Sequence, residues 1–258
     1  MKKSGVITIL ILTLLIALSI VLFGFVFCVR KQTVIFNGEL AITEQEIIST
    51  ANIENGSPTL LLNKEEAINN IEKKYPHVKV VQIKTTSLTE IEIVVRERYP
   101  LFYFENGEKF YMLDEELKVL NIATEEPTNL IKIINISNME NVKKNSDFVG
   151  TSKEQEVYTN LFISTYSAVL TTEDYKQARA DMANIIFSVC YENDKLTIKT
   201  KDEVTIEIAK PDVDLTSKIN ICFAAIKQLT EEQKSKTTIK ILYNADETEF
   251  NGYIEILD

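Results

Sequence analysis

From Val6 to Val29 the chain carries no charged residue, and Lys2 and Lys3 before the run and Arg30 and Lys31 after it close it off with cations. As a helix rising about 1.5 Å per residue, the run exceeds the roughly 30 Å hydrocarbon core of a bilayer. Residues 6–29 therefore read as a transmembrane helix behind a cytoplasmic tail of residues 1–5. A secretory leader has a shorter apolar region of about 7–15 residues and a small-residue cleavage site. The one weak candidate here, Ala17-Leu18-Ser19, lies in mid-run, so an uncleaved anchor is the expectation. Phe27 is large where a lipidation site wants a small residue, and Cys28 reads as plain membrane surface. The flanking cations nearly balance, and the short tail favours a single pass with the N-terminus in the cytoplasm and the bulk outside.

All 38 acidic residues and 24 of the 28 basic ones lie beyond Lys31. That balance disfavours nucleic acid and repels anionic lipid surfaces. It names no partner, and simple solubility accounts for it. Cys190 falls in a predicted strand and Cys222 on the apolar side of a predicted helix, which points to buried free thiols rather than a disulfide; there is no CxxC pair and no zinc spacing.

After the run, Thr33 to Phe36 forms a short β-branched strand stopped by the turn dipeptide Asn37-Gly38. Thr43-Glu44-Gln45-Glu46 fits a capping box opening a helix with Ile47, Ile48 and Ala51. Gly56-Ser57-Pro58 interrupts, and Asn63-Lys64-Glu65-Glu66 opens a second helix with Ala67, Ile68, Ile71 and Tyr75 on one face before Pro76 ends it. Val81-Ile83-Thr85 and Ile91-Ile93-Val95 then alternate as strands with one covered face. The order strand, helix, helix, strand, strand makes a compact unit over residues 33–99, in which two helices cover one face of a three-stranded sheet and the other face stays solvated.

Arg96-Glu97-Arg98-Tyr99-Pro100 ends this unit, and a second one occupies residues 100–258. Leu101 to Phe104, the turn Asn106-Gly107 and Phe110 to Leu113 predict a hairpin, and Asp114-Glu115-Glu116-Leu117 turns the chain into Lys118-Val119-Leu120. Leu130 to Ile136 is a further β-rich stretch. Ser152-Lys153-Glu154-Gln155 offers a capping box for a helix with Val157, Leu161, Thr165 and Ala168 on one side, and Asp174 to Arg179 is a short helical stretch. Ile185 to Tyr191, Leu196 to Thr200 and Val204 to Ile208 predict a meander. Asp214 caps a helix with Ile219, Cys222, Phe223, Ile226 and Leu229 on its covering face, and Thr238 to Tyr243 and Tyr253 to Leu257 close the chain as strands. The fold class is α+β: a transmembrane helix, a small β-α-α-β-β unit, and a larger, mostly antiparallel β domain with covering helices.

For chemistry the sequence offers little. His77, the single histidine, sits between a helix and a strand without a nucleophile elbow to serve. Glu105, Asp114, Glu115 and Glu116 cluster in turn regions, where a solvated edge is the ordinary reading, and no framing marks a catalytic pair. The seven glycines form neither a GxGxxG nor a phosphate loop. No catalytic residue, cofactor or metal site is expected. Arg96 and Arg98 share one side of the strand end and Glu97 the other. They form either a solvated rim or a domain joint, with Pro100, where guanidinium groups set an interdomain angle or meet a partner's carboxylate.

Taken in order, these features resemble the FtsQ/DivIB family of bacterial cell-division proteins. The resemblance rests on Ile35-Phe36-Asn37-Gly38 after the anchor, Glu46-Ile47, Gly56 with Leu60-Leu61-Leu62, and Tyr75-Pro76-His77-Val78. Its most specific parts are Val95-Arg96-Glu97-Arg98-Tyr99-Pro100 and Tyr111-Met112-Leu113-Asp114 leading to Val119-Leu120. The chain departs from the family at Leu117, where a glycine is common, and at Thr85-Thr86-Ser87, where a proline is common. The resemblance implies a POTRA domain followed by a β domain, and a non-enzymatic scaffold of the division machinery at the septum of the cell membrane. It implies partners among small bitopic coiled-coil proteins of the FtsB/DivIC and FtsL type, and an influence on septal peptidoglycan synthesis. A terminal strand offers unpaired main-chain groups to a partner's extended segment. The expected contact is Tyr253, Ile254, Glu255, Ile256 and Leu257, with Ile239, Ile241 and Tyr243 beside them. Two rival readings are a membrane-tethered sensor or regulator and an anchored cell-wall enzyme.

Overall fold

The computed structural model describes residues 11–19, 26–139, 142–144, 148–168, 174–243 and 250–256. The chain divides into two compact units, Met1–Arg98 and Tyr99–Asp258. Residues 11–19 are helical (α1) and exposed. Residues 1–10 and 20–25, which hold the tail and much of the apolar run, lie outside the described residues; among the described residues no helix is long and apolar enough to cross a membrane.

The first unit runs β1 (Lys31–Asn37), α2 (Glu44–Ala51), a 3-10 turn (Thr59–Leu61), α3 (Lys64–Lys74), β2 (Val78–Ser87) and β3 (Glu90–Glu97). The Thr43 capping box forms: Glu46 N donates to Thr43 Oγ1 at 3.3 Å and Thr43 N to Glu46 Oε2 at 2.9 Å. Asn63 Oδ1 accepts from Glu66 N at 3.1 Å and starts α3. β3 is central, with β2 antiparallel on one side and β1 parallel on the other. A parallel pair needs a crossover, which α2 and α3 supply. Ile47, Ala51, Ala67 and Ile71 of the helices pack on Val78, Val80, Ile83, Ile91, Ile93 and Val95.

Two sequence expectations shift here. Val81, read as inward, is 47% exposed, because a register break between Val80 and Gln82 lets Val78, Val80 and Ile83 share the core side. Val29, read as the end of the membrane run, is 1% exposed within this core, and Cys28 forms a β-bridge with Pro58.

The second unit runs β4 (Phe102–Asn106), β5 (Lys109–Leu113), β6 (Val119–Ala123), β7 (Ile131–Ile134), α4 (Ser152–Ala168), α5 (Tyr175–Ile185), β8 (Ile186–Glu192), β9 (Lys195–Thr200), β10 (Thr205–Ala209), α6 (Leu215–Ile226), α7 (Glu231–Lys234), β11 (Thr237–Tyr243) and β12 (Phe250–Ile256). Among the described residues they form one nine-stranded sheet of order β12-β11-β10-β9-β8-β7-β4-β5-β6. The antiparallel ribbons β4-β5-β6 and β8-β9-β10 are joined through β7, which runs parallel to both β4 and β8. β11 returns parallel to β10 after α6 and α7, and β12 folds back antiparallel on β11.

Helix α4 starts one residue earlier in its cap than the sequence suggested. Thr151, not Ser152, closes the box: Glu154 N donates to Thr151 Oγ1 at 3.2 Å and Thr151 N to Glu154 Oε2 at 2.6 Å. The other oxygen of Glu154 accepts Ser137 N at 3.0 Å, so one buried carboxylate serves both the helix start and the loop after β7. Val157, Leu161 and Thr165 face the core as expected, along with Tyr158, whose hydroxyl accepts Tyr191 N at 3.0 Å. Ile219, Cys222, Phe223 and Ile226 of α6 belong to the same core as the sheet residues Ile198, Ile206, Ile239 and Ile241.

Candidate functional site

β12 is one terminal strand of the large sheet and β6 the other. Along the β11/β12 pair the register opposes Ile239 with Ile254, Lys240 with Tyr253, Ile241 with Gly252 and Tyr243 with Phe250. Directly opposed residues of an antiparallel pair share a face. Ile254 and Gly252 thus lie on the core side with Ile239 and Ile241, while Tyr253 and Glu255 lie on the reverse side with Lys240.

The eight residues expected to form the contact separate into three groups. Ile239 and Ile241 are fully buried and are sheet core. Tyr253, Ile254 and Ile256 are 53%, 51% and 45% exposed, and Glu255 is exposed with its carboxylate on Lys240 Nζ. Tyr243 is half-buried, its ring 4.8 Å from Lys218 Nζ. Leu257 lies outside the described residues.

The cover of α6 ends at Gly252. A Cβ there would stand 3.3 Å from Ile241 Cδ1 and 3.5 Å from Ile221 Cγ2, so a side chain at this position would crowd Ile241 of the neighbouring strand. Past it, Ile254 and Ile256 turn the same face to solvent. Natural sheet edges are usually blunted by charge, proline or a bulge. β12, with the sequence Phe-Asn-Gly-Tyr-Ile-Glu-Ile, has no proline and one charge, which Lys240 neutralises. β6, at the far end, is shorter, and Val119 and Ile122 on it pack with the core.

The residues read as a joint behave differently from one another. Arg98 is buried rather than on a solvated rim: Nη2 lies 2.7 Å from Glu72 Oε2, Nε donates to Val78 O at 3.2 Å, and the backbone N–H donates to His77 O at 2.8 Å. Glu72 also accepts Val80 N at 2.9 Å and lies 3.7 Å from Lys79 Nζ. Arg98 therefore locks α3 to the start of β2 within the first unit, because a carboxylate of its own helix layer meets the planar guanidinium. Arg96 is 8% exposed, with Nη1 donating to Glu97 O at 3.2 Å; Glu97 is half-buried and Pro100 exposed.

A buried lysine in α6 escaped the sequence reading. Lys218 is fully buried, and its Nζ donates to Ala209 O at 3.0 Å, Lys210 O at 2.8 Å and Tyr243 Oη at 3.1 Å, with the Phe250 ring 5.5 Å away. It ties the end of β10 to the β11/β12 hairpin. A signal existed: Leu215, Lys218, Ile219, Cys222 and Ile226 share one helical stripe, and a cation on an apolar stripe needs acceptors. Among the described residues no group of three or more His, Cys, Asp or Glu is placed to hold a metal ion.

Comparison with known proteins agrees with the architecture. Residues 29–98 match the model of the POTRA domain, FtsQ-type. A cell-division protein DivIB of Clostridium acetobutylicum is 25% identical over 169 residues, covering 65% of this chain and 66% of that protein. The DivIB of Clostridium tetani is 27% identical over 199 residues, covering 76% and 69%. The chain thus spans about two thirds of the length of the relatives it matches. The major extracytoplasmic domain of the trans isomer of DivIB from Geobacillus stearothermophilus aligns at 14% identity and a TM-score of 0.30, over 52% of this chain and 98% of that one. Residues 29–98 thus resemble the POTRA domain of the FtsQ type, and the chain is similar to DivIB cell-division proteins.

Proposed function

We propose that the chain is a non-enzymatic scaffold of the division machinery, anchored in the cell membrane by the apolar run that begins at Val6 and ends before Phe27, and carrying its POTRA and β domains outside. The small bitopic coiled-coil proteins of the FtsB/DivIC and FtsL type are its partners, and through them it helps control septal peptidoglycan synthesis. The observation that carries this reading is that β12 ends the sheet among the described residues, with Tyr253, Ile254 and Ile256 about half exposed on a strand without proline, bulge or free charge. A partner's extended segment completes the main-chain hydrogen bonds of that edge, each worth about 1 kcal/mol net, and the half-exposed isoleucines select its alternate side chains.

The test is photo-crosslinking in dividing cells from positions 253, 254 and 256. Adducts with small coiled-coil membrane proteins support the scaffold, and Ile254→Glu with Ile256→Glu should abolish them while leaving the sheet folded. No adduct from any of the three positions, together with normal septal placement after deletion of residues 253–258, would sink the edge-strand reading.

A further inference from the structure

The most exposed apolar side chains of the POTRA domain, unlike Ile35 and Val81 on its strands, lie where the apolar run enters it. Leu61 is 81% exposed, Leu60 64%, Leu88 53% and Val26 44%. Their segments are tied together by one buried residue. Thr59 donates from its N–H to Phe27 O at 2.9 Å, and its hydroxyl lies 3.2 Å from Phe27 O and 3.1 Å from Leu88 O. The turn bearing Leu60 and Leu61, the β2/β3 turn bearing Leu88 and the chain at Phe27 are therefore held at one end of the domain.

Between run and domain there is no slack. Val29 N donates to Ser57 O at 2.9 Å, Gly56 N to Val29 O at 2.8 Å, and Arg30 N to Thr89 O at 2.8 Å, while Val29 itself is core. A span needs about 20 apolar residues, so a helix entered at Val6 leaves the hydrocarbon near Phe25 or Val26. The headgroup layer beyond it is roughly 5–7 Å deep on each side. Leu60 and Leu61 follow within two residues of an atom bonded to Phe27, at about 3.8 Å per residue. A domain fastened this closely keeps those leucines at or next to that layer unless the strap breaks.

We propose that this end of the POTRA domain rests on the outer surface of the bilayer, with Leu60, Leu61 and Leu88 set among the headgroups. The lipid thereby fixes the orientation of the domain, and a swinging tether is excluded. The inference rests on the reading of the apolar run from Val6 as an anchor. The partner is zwitterionic lipid, because residues 30–98 carry nearly equal numbers of basic and acidic side chains and bring no cationic excess to hold an anionic surface.

The chain contains no tryptophan, so each introduced one is a unique reporter. The full chain is reconstituted in phosphatidylcholine vesicles doped with lipid brominated at the top of the acyl chain, as L61W, L88W and the control V81W. Val81 is an exposed residue of β2 about 20 Å up the strand from Ser87. L61W and L88W should be quenched at least threefold more than V81W, and adding Leu60→Glu and Leu61→Glu to L88W should halve its quenching. If the chain fails to float with the vesicles after an alkaline wash, the anchor reading falls and this inference with it. If it floats but L61W and L88W are quenched no more than V81W, the inference falls and the anchor stands. Blue-shifted but unquenched emission would place a protein, a partner or a second copy, on the leucines and overturn it equally.

Discussion

Glu115 Oε2 and Arg179 Nη2 lie 2.6 Å apart with their side chains 5% and 3% exposed, so an ion pair is sealed inside the β domain. It joins the turn after β5 to α5. Arg179 Nη1 donates to Tyr175 O at 2.7 Å, and the rings of Phe162, Tyr175 and Tyr99 stand 4.7, 5.5 and 6.0 Å from the guanidinium carbon. The backbone carbonyl of Glu115 accepts Thr159 Oγ1 from α4 at 3.0 Å. A four-residue turn is thus held by two helices at once.

Breaking this pair from one side leaves a charge buried without its counterpart, which costs about 3–5 kcal/mol. Arg179→Met should therefore lower the urea midpoint of the β domain sharply. The double variant Glu115→Leu with Arg179→Met should recover most of the loss, since well-packed apolar groups replace buried pairs at little cost. A single-variant loss below about 1 kcal/mol would show that water reaches Glu115.

Two residues on, the same turn contains a conflict that magnitudes decide. Leu117 has φ 63° and is fully buried, with Asp114 Oδ1 accepting Glu116 N at 3.0 Å and Lys118 N at 2.8 Å to hold the turn. Leu117→Gly would relieve a left-handed penalty of about 1–2 kcal/mol. It would also empty a leucine site, at about 2–5 kcal/mol. The net expectation is a destabilisation of roughly 2 kcal/mol. Gly150→Ala should also destabilise, because at φ 79° its Cβ would meet Leu117 Cδ1 at 3.0 Å. Thermal unfolding of both variants checks the order, and a stabilised Leu117→Gly would refute it.

Periodicity made the POTRA domain almost fully legible in the sequence, from the Thr43 cap to the two helices and the β2/β3 hairpin, because each element there announces its ends locally. The slip at Val81 came from a bulge, which alternation cannot show until the partner strand is known. The cap of α4 was misplaced by one residue because Thr151 and Ser152 are both able caps; the choice was made by Glu154, which also reaches Ser137 seventeen residues back. Arg98 read as a rim or joint and Glu115 as a solvated edge, and the charge of Arg179 carried no reading, since the partners lie 26 and 64 residues away. In the candidate edge, hydrophobic pattern alone grouped Ile239 and Ile241 with Ile254 and Ile256. Only the order of the strands tells core from rim.

Lys218 connects that rim to the core. Lys218→Met keeps the length of the side chain but removes the donor shared by Ala209 O, Tyr243 Oη and Lys210 O, the last of which keeps Val213 N at 3.1 Å. A buried acceptor that loses its donor costs about 1–3 kcal/mol, so a loss of about 2 kcal/mol is expected. Tyr243→Phe removes one acceptor and retains the ring, and should cost about 1 kcal/mol. Hydrogen exchange at β11 and β12 should rise in Lys218→Met before that at β8 and β9. Uniform protection across the sheet would show that Lys218 does not hold the hairpin.

The remaining prediction concerns pH. Cys222 sits fully buried on α6, and burial pushes its thiol from the ordinary value of 9.0 up to about 12. The folded chain therefore holds this proton more tightly than the unfolded one. Its contribution to stability is complete below about pH 9 and shrinks between pH 9 and 12, where the unfolded thiol ionises and the folded one does not. The phenols of Tyr103 and Tyr158, raised mainly by burial, act in the same direction at higher pH. Cys222→Val deletes the thiol's share and retains an apolar side chain of similar size. The stability of the variant relative to the native chain should be flat from pH 7 to 8 and should shift in its favour by on the order of 1 kcal/mol at pH 10. Urea titrations of both chains at pH 7, 8, 9 and 10 measure the difference, in which the tyrosines and lysines common to both cancel. A difference that stays constant to pH 10 would mean that water reaches the native thiol.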